Sequence, residues 1–189
     1  LARLFALPAA ELRARFRLGE RAASAIAAGE ERLRLRAAPV ERLFRRYGMR
    51  ALERGAPGYP AQLAAHGGTD APPLLYAYGN IELLERRTVA LLSSSGETRQ
   101  GLEAAAALAG LYARDGWVVV SGHNRPGYRA AASAAKAEGG CRIVVLDRGL
   151  LNAFGDDLER DLFPAARVWG YGFDVARTLF ISPFAPHAG

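Results

Sequence analysis

The chain has 189 residues, half of them hydrophobic and 9% aromatic, enough to bury a core in one large or two small domains. Its alanine-rich stretches are broken by Arg, Glu and Asp, and no apolar run reaches the roughly 18 residues of a membrane span. Cys141 is the single cysteine, which excludes an intrachain disulfide, leaves a Cys-based zinc site short of ligands and fits a reducing cytoplasm.

The net charge is +6, and Lys136 is the one lysine, so nearly all positive charge is guanidinium. Arginine suits phosphate, because its planar fork donates two hydrogen bonds at once. The same bias is also what an Ala-, Gly- and Arg-rich genome composition produces. Leu1 to Ala10 leads directly into "ELRARFRLGER" with no secretory pattern, and the start at Leu rather than Met points to a fragment or a trimmed chain.

Residues 1 to about 55 read as a small helical module. "AAELRARFRLGERAASAIAAGEERLRLR" holds good helix formers throughout, with Leu12, Phe16, Ala22, Ala23 and Ile26 at loose helical intervals. Pro39 punctuates, and "VERLFRRYG" places Val40, Leu43, Phe44 and Tyr47 on one face before Gly48 stops it. Arg32, Arg34, Arg36, Arg42, Arg45 and Arg46 form either a basic face or an ordinary solvated helix surface.

"RGAPGYPAQLAAHGGTDAPP" is a linker whose glycines and prolines deny it a long regular element, and the domain boundary is placed here, with modules 1–55 and 56–189. Strand and helix patterns then alternate: "LLYAYG" and "RTVALL" as strands, "GETRQGLEAAAALAGLYARDG" as a helix, "WVVVSG" as a strand, "PGYRAAASAAKAEGG" as a helix. "RIVVLD" follows as a strand, "GDDLERDLFPAARV" as a helix or part-helix, and "TLFIS" as a last strand. Strands apolar on both faces, separated by single helices, predict an α/β fold with a Rossmann-like, doubly wound, mostly parallel sheet.

In such a sheet ligands bind beyond the carboxyl ends of the strands, so three loops matter. The first, Ser93 to Thr98, contains Ser94 and Ser95, followed by Arg99. Small residues, hydroxyls and free amides at a helix start can hold a phosphate, yet a plain N-cap by a serine or Thr98 uses the same residues. Glu97 disfavours a phosphate directly beside it. The second loop, Ser121 to Arg129, contains Gly122, His123, Arg125 and Arg129, with Pro126 suited to a first helical turn. His123 reads as a general base or as a hydrogen-bonded loop histidine, with no carboxylate beside it in sequence. In the third, Asp147 to Asp157, Asp156 and Asp157 suit a cation or the opening of a helix.

The serine turn lacks the spaced glycines and lysine of a P-loop, and no strand-to-helix turn carries Gly-x-Gly-x-x-Gly, which disfavours nicotinamide cofactors. No catalytic triad, metal cluster or paired-carboxylate spacing stands out, so neither a catalytic reaction, a metal nor a cofactor is expected.

"GYPAQL" followed by "DAPPLLYAYGN" resembles the linker of the DNA-processing protein A family (DprA, also called Smf): Tyr59, Pro60 and Leu63, then Asp70, Pro72, Pro73, Leu75, Tyr76, Gly79 and Asn80. "VALLSSSGET" resembles the family's Val-Ala-Ile-Val-Gly-Ser-Arg-x-x-Thr, "VVSGHNRPGY" its Val-Val-Ser-Gly-x-Ala-x-Gly-Ile-Asp, "RIVVLDRGL" its next strand and turn, and "LFISPFAP" its Ser-Glu-x-Pro-Pro strand. The likeness is collinear from about Tyr59 to Pro186. Ser93 and Ser95 depart from the first motif's glycine and arginine, Pro126, Gly127 and Tyr128 from Gly-Ile-Asp, and Pro183 from the glutamate. The later Phe-Pro-x-Arg-Asn-Arg segment is absent from the 189 residues.

The resemblance implies an extended Rossmann domain that binds single-stranded DNA in a basic pocket, helps load a RecA-type recombinase, forms a homodimer and catalyses no reaction, often in cells competent for natural transformation. Ser94, Thr98, Ser121 and Gly122 match pocket positions. Arg125 falls where the family varies, and Arg99 and Arg129 are added from charge and loop position. Tyr128 and Tyr171 are candidate aromatic partners for bases. The alternatives are a nucleotide-binding Rossmann sensor or enzyme, although the Pro-Gly-Gly-x-Gly-Thr motif of Lonely-guy phosphoribohydrolases is missing, and a scaffold whose pocket has decayed and which binds a protein partner.

Overall fold

The computed structural model describes residues 6–155 and 174–189, so the helix expected from Gly155 onward, Asp156, Asp157 and Tyr171 lie outside the described residues. The chain divides into two compact units, Leu1–Arg46 and Tyr47–Gly189.

The first unit is helical. Helix α1 spans Ala9–Phe16 and packs on α2, Glu20–Ala27, with Leu12 and Ala23 fully buried. The helical pattern breaks where Arg17 turns left-handed, at φ 54°, and again at Gly29, at φ 98°. Helix α3 then runs unbroken over Glu30–Tyr47, so Pro39 lies inside it instead of ending it. A proline there frees the carbonyl four residues back. That residue is Leu35, itself 67% exposed, so water can take the freed group. Gly48, at φ 67°, ends the helix as expected.

The second unit is α/β. A strand, β1 (Arg50–Glu53), opens it inside the stretch read as helical, because Leu52 alone of its residues is buried and its backbone pairs antiparallel with β2 (Leu74–Gly79). The linker between them holds one short helix, α4 (Ala61–Gly67). The remaining elements are β3 (Thr88–Ala90), α5 (Arg99–Arg114), β4 (Val118–Ser121), α6 (Pro126–Ala137), β5 (Arg142–Val145), α7 (Leu150–Phe154) and β6 (Thr178–Ser182). Helix α7 occupies the stretch read as the third loop, where buried Leu150, Leu151 and Phe154 give it an apolar face.

The sheet order is β1-β2-β6-β5-β4-β3, with β3 to β6 mutually parallel and β2 antiparallel to β6. Each parallel strand therefore lies beside its sequence neighbour, and the order advances one way. Helices α5 and α6 pack closely on each other and on β4. Their contact is built of small residues: Ala109, Ala113, Ala131 and Ala135 enclose Val119 on that face. The other face is covered by the linker instead, with Leu63 and Ala64 of α4 and Ile81, Leu83 and Leu84 of a 3-10 turn over Val118, Ile143 and Leu179.

Phe180 of β6, 1% exposed, meets Phe154 edge-on at 4.9 Å, and Phe154 in turn meets Tyr78 at 5.8 Å. Strand β3 stops at Ala90, short of the run "RTVALL", because it is the edge strand, and Leu92 beyond it is 91% exposed. Phe180→Ala is expected to cost about 3–5 kcal/mol, read from the urea unfolding midpoint, because a ring leaves an aromatic cluster that cannot fully collapse.

Candidate functional site

Parallel strands end together, so the loops after β3, β4, β5 and β6 gather at one edge of the sheet with the starts of α5, α6 and α7. The first turn of each helix carries backbone amides with no partner inside the helix. What fills those amides decides what the edge can bind.

At α5 the cap is Thr98, whose Oγ1 accepts the Gly101 amide at 3.1 Å. The serine turn thus ends in an ordinary N-cap. At α6 the acceptor is Glu97: its Oε2 takes the Gly127 amide at 2.8 Å, and Ser93 Oγ donates to its Oε1. A Cβ at position 127 would lie 2.1 Å from that Oε1, so only glycine admits the carboxylate. At α7 the Pro186 carbonyl accepts from Leu151 at 2.8 Å and Asn152 at 3.0 Å. Gly149 lets this segment close, since a Cβ there would stand 2.0 Å from the Ala185 carbonyl oxygen.

The structure brings Ser94, Ser95, Thr98, Arg99, Ser121, Gly122, Arg125 and Arg129 to this same edge. Ser94 and Ser95 are exposed. Arg99 extends into solvent and pairs with Glu103 at 2.8 Å, an exposed contact of little energetic weight. Ser121 is buried, with no partner for its Oγ among the described residues. Gly122 supports the Tyr128 ring, which would lie 2.6 Å from a Cβ there. Arg125 is the residue before α6 and Pro126 its first, as expected, and Arg129 sits one turn on, exposed. Neither Arg125 nor Arg129 forms an ion pair with another described residue.

Sequence reading placed no carboxylate beside His123; the fold does. Asp147, from the loop after β5, lies 3.4 Å from His123 Nε2 and accepts from Asn124 at 3.0 Å and Arg148 Nε at 3.0 Å, tying the second and third loops together. Only the β4–β5 adjacency reveals this, since 24 residues separate His123 from Asp147 in sequence. Burial holds the imidazole below its ordinary pKa, Arg148 adds to that, and Asp147 and the Val145 carbonyl oppose it. At Asp147, burial pulls upward but is outweighed by Arg148, His123 and Asn124, which keep the carboxyl below its usual range. Among the described residues no group of acids, His or Cys is placed to hold a metal ion, and no helix is long and apolar enough to cross a membrane.

The chain matches the DNA recombination-mediator protein A family over residues 50–162, more than half its length. It belongs to that family. Among solved structures, the fold is similar to DNA processing protein A (DprA) from Streptococcus pneumoniae, at TM-score 0.61 and 22% identity, over 98% of this chain and 64% of that one. It is also similar to DNA processing protein A from Helicobacter pylori, whose structure addresses a single-stranded DNA binding mode, at TM-score 0.52 and 18% identity, over 76% of this chain and 59% of that one. The chain thus spans less than two thirds of either protein, and these identities establish a shared fold. A comparison with curated proteins found no match.

A base with a lowered folded pKa is protonated more readily in the unfolded chain, so its share of stability is complete above about 6.5 and falls as pH drops below that value. Asp147, shifted downward, adds a loss only below the ordinary carboxylate range. Urea midpoints measured from pH 8 to 5 should therefore decline below about 6.5, and His123→Asn should flatten that decline.

Proposed function

We propose that this chain binds single-stranded DNA at the carboxyl edge of its sheet, through Ser94, Ser95, Thr98, Arg99, Ser121, Gly122, Arg125 and Arg129. The observation that carries this reading is family membership over the segment in which Arg125 and Arg129 stand one turn apart at the start of α6, without carboxylate partners among the described residues. Guanidiniums so placed suit successive phosphates of a flexible strand. The structural relative from Helicobacter pylori, described for single-stranded DNA binding, supports the same reading. Within it, the protein works in the cytoplasm in DNA processing, natural transformation and recombination, as a homodimer that hands the strand to a RecA-type recombinase; the role needs no catalytic residue. The helical module, read from sequence as 1–55 and compact over Leu1–Arg46, would serve as an accessory unit, and the α/β unit, read as 56–189 and compact over Tyr47–Gly189, as the binding domain.

One observation favours a second reading, a scaffold that contacts a protein partner: the starts of α5, α6 and α7 are all capped from within the chain.

Fluorescence anisotropy of a labelled single-stranded oligonucleotide over a salt series separates the two. A strand binder weakens linearly in log affinity against log salt, and each phosphate-contacting arginine removed lowers the slope by about 0.7. Arg125→Ala with Arg129→Ala is expected to lower it by about 1.4, with preference for single strands over duplex retained. Absence of binding by the parent protein at low salt would leave the scaffold reading.

A further inference from the structure

The first turn of α6 already holds an anion, and that anion belongs to the chain. Gly127 is the second residue of a twelve-residue helix, so its amide is one of the free donors at the positive end of the helix dipole. Glu97 reaches it from the loop after β3 and is steadied by the Ser93 hydroxyl. Beneath this contact lies an independent feature. Ser121 is 3% exposed and its Oγ has no partner among the described residues. Side chains alternate along β4, and Val119 packs against Ala131 and Ala135 of α6; Ser121, two residues on, therefore projects to the same face, toward the start of α6. A buried hydroxyl left without a partner is costly, and an oxygen-rich ligand seated above it would relieve that cost.

We propose that the start of α6 is a phosphate site held shut by Glu97, whose carboxylate stands where a phosphate oxygen would bind. The Gly127 amide and the Ser93 and Ser121 hydroxyls are its donors, with Arg125 and Arg129 beside them. Opening requires the loop after β3 to lift Glu97 off Gly127. Free phosphate and a strand phosphate share this chemistry; the second case rests on the DNA-binding reading above.

Three variants of the full chain test the site. Glu97→Ala removes the plug. Glu97→Gln keeps its shape and an acceptor but not its charge, and reports should the alanine variant fold poorly. Gly127→Ala keeps the charge but puts a methyl where the carboxylate sits. Glu82→Ala, on the opposite face of the sheet, controls for net charge.

The first probe is inorganic phosphate, against chloride at equal ionic strength, read by melting temperature and titration calorimetry. Glu97→Ala is expected to bind phosphate about tenfold or more tightly than the parent chain and the control, with Glu97→Gln between, whereas Gly127→Ala, whose methyl fills the place of a phosphate oxygen, is expected to bind no more tightly than the parent chain. Equal phosphate binding by the parent chain and the folded Glu97 variants would overturn the proposal. The second probe is the labelled oligonucleotide. A matching gain in Glu97→Ala assigns the site to strand phosphates, whereas a gain confined to inorganic phosphate assigns it to the free ion. If no form bound the oligonucleotide while phosphate still discriminated among them, the DNA-binding reading would fail and the plugged site would stand.

Discussion

A parallel strand can be re-entered only from the end at which its neighbour began, so every parallel pair needs a crossover, and crossovers are right-handed. In this chain β3, β4, β5 and β6 are neighbours in sequence order. The order never reverses. The crossover helices α5 and α6 therefore share one face, packed through alanines because two helices on adjacent strands must approach closely. Among the described residues the opposite face receives no crossover helix and is covered by α4 and the 3-10 turn, which precede the parallel strands. The division of labour between linker and Rossmann helices follows from that single ordering.

The same ordering gathers three helix starts at one edge, where unpaired amides accumulate. Such an edge attracts oxygen, and the chain offers its own in three forms: a threonine hydroxyl, a glutamate carboxylate and a main-chain carbonyl. Gly127 and Gly149 are the places where the second and third come too near for any side chain. The candidate interface is consequently a surface of exposed serines and arginines around satisfied helix ends, with a knot of the largely buried His123 ring and the exposed Asn124, Asp147 and Arg148 tying two loops together. His123 and Asn124 of one loop both meet the Asp147 carboxylate of the other, so the knot fixes the spacing of two loops separated in sequence.

Much was legible beforehand. The runs around Val118–Ser121, Arg142–Val145 and Thr178–Ser182 are apolar on both faces, which only a sheet covered on both sides tolerates, and they are strands. Pro126 announced the start of α6 because a missing amide costs nothing there. Other elements misled for equally local reasons. Pro39 signals a break, yet a solvated carbonyl at Leu35 lets α3 continue. "RALE" carries no strand pattern and is a strand because β2 offers an edge to pair with.

Composition, periodicity and turn residues thus determined the α/β class, the strands β2 to β6 with α5 and α6 between them, and the edge at which the candidate residues meet, because each depends on interactions within about a dozen residues. Which oxygen caps which helix was decided only by the tertiary structure. Glu97 stands next to Thr98, the cap of α5, but its carboxylate serves α6, 30 residues away, and Asp147 finds His123 across two strands. Neighbours in space at a sheet edge are set by strand order, and strand order is a property of the whole packed chain.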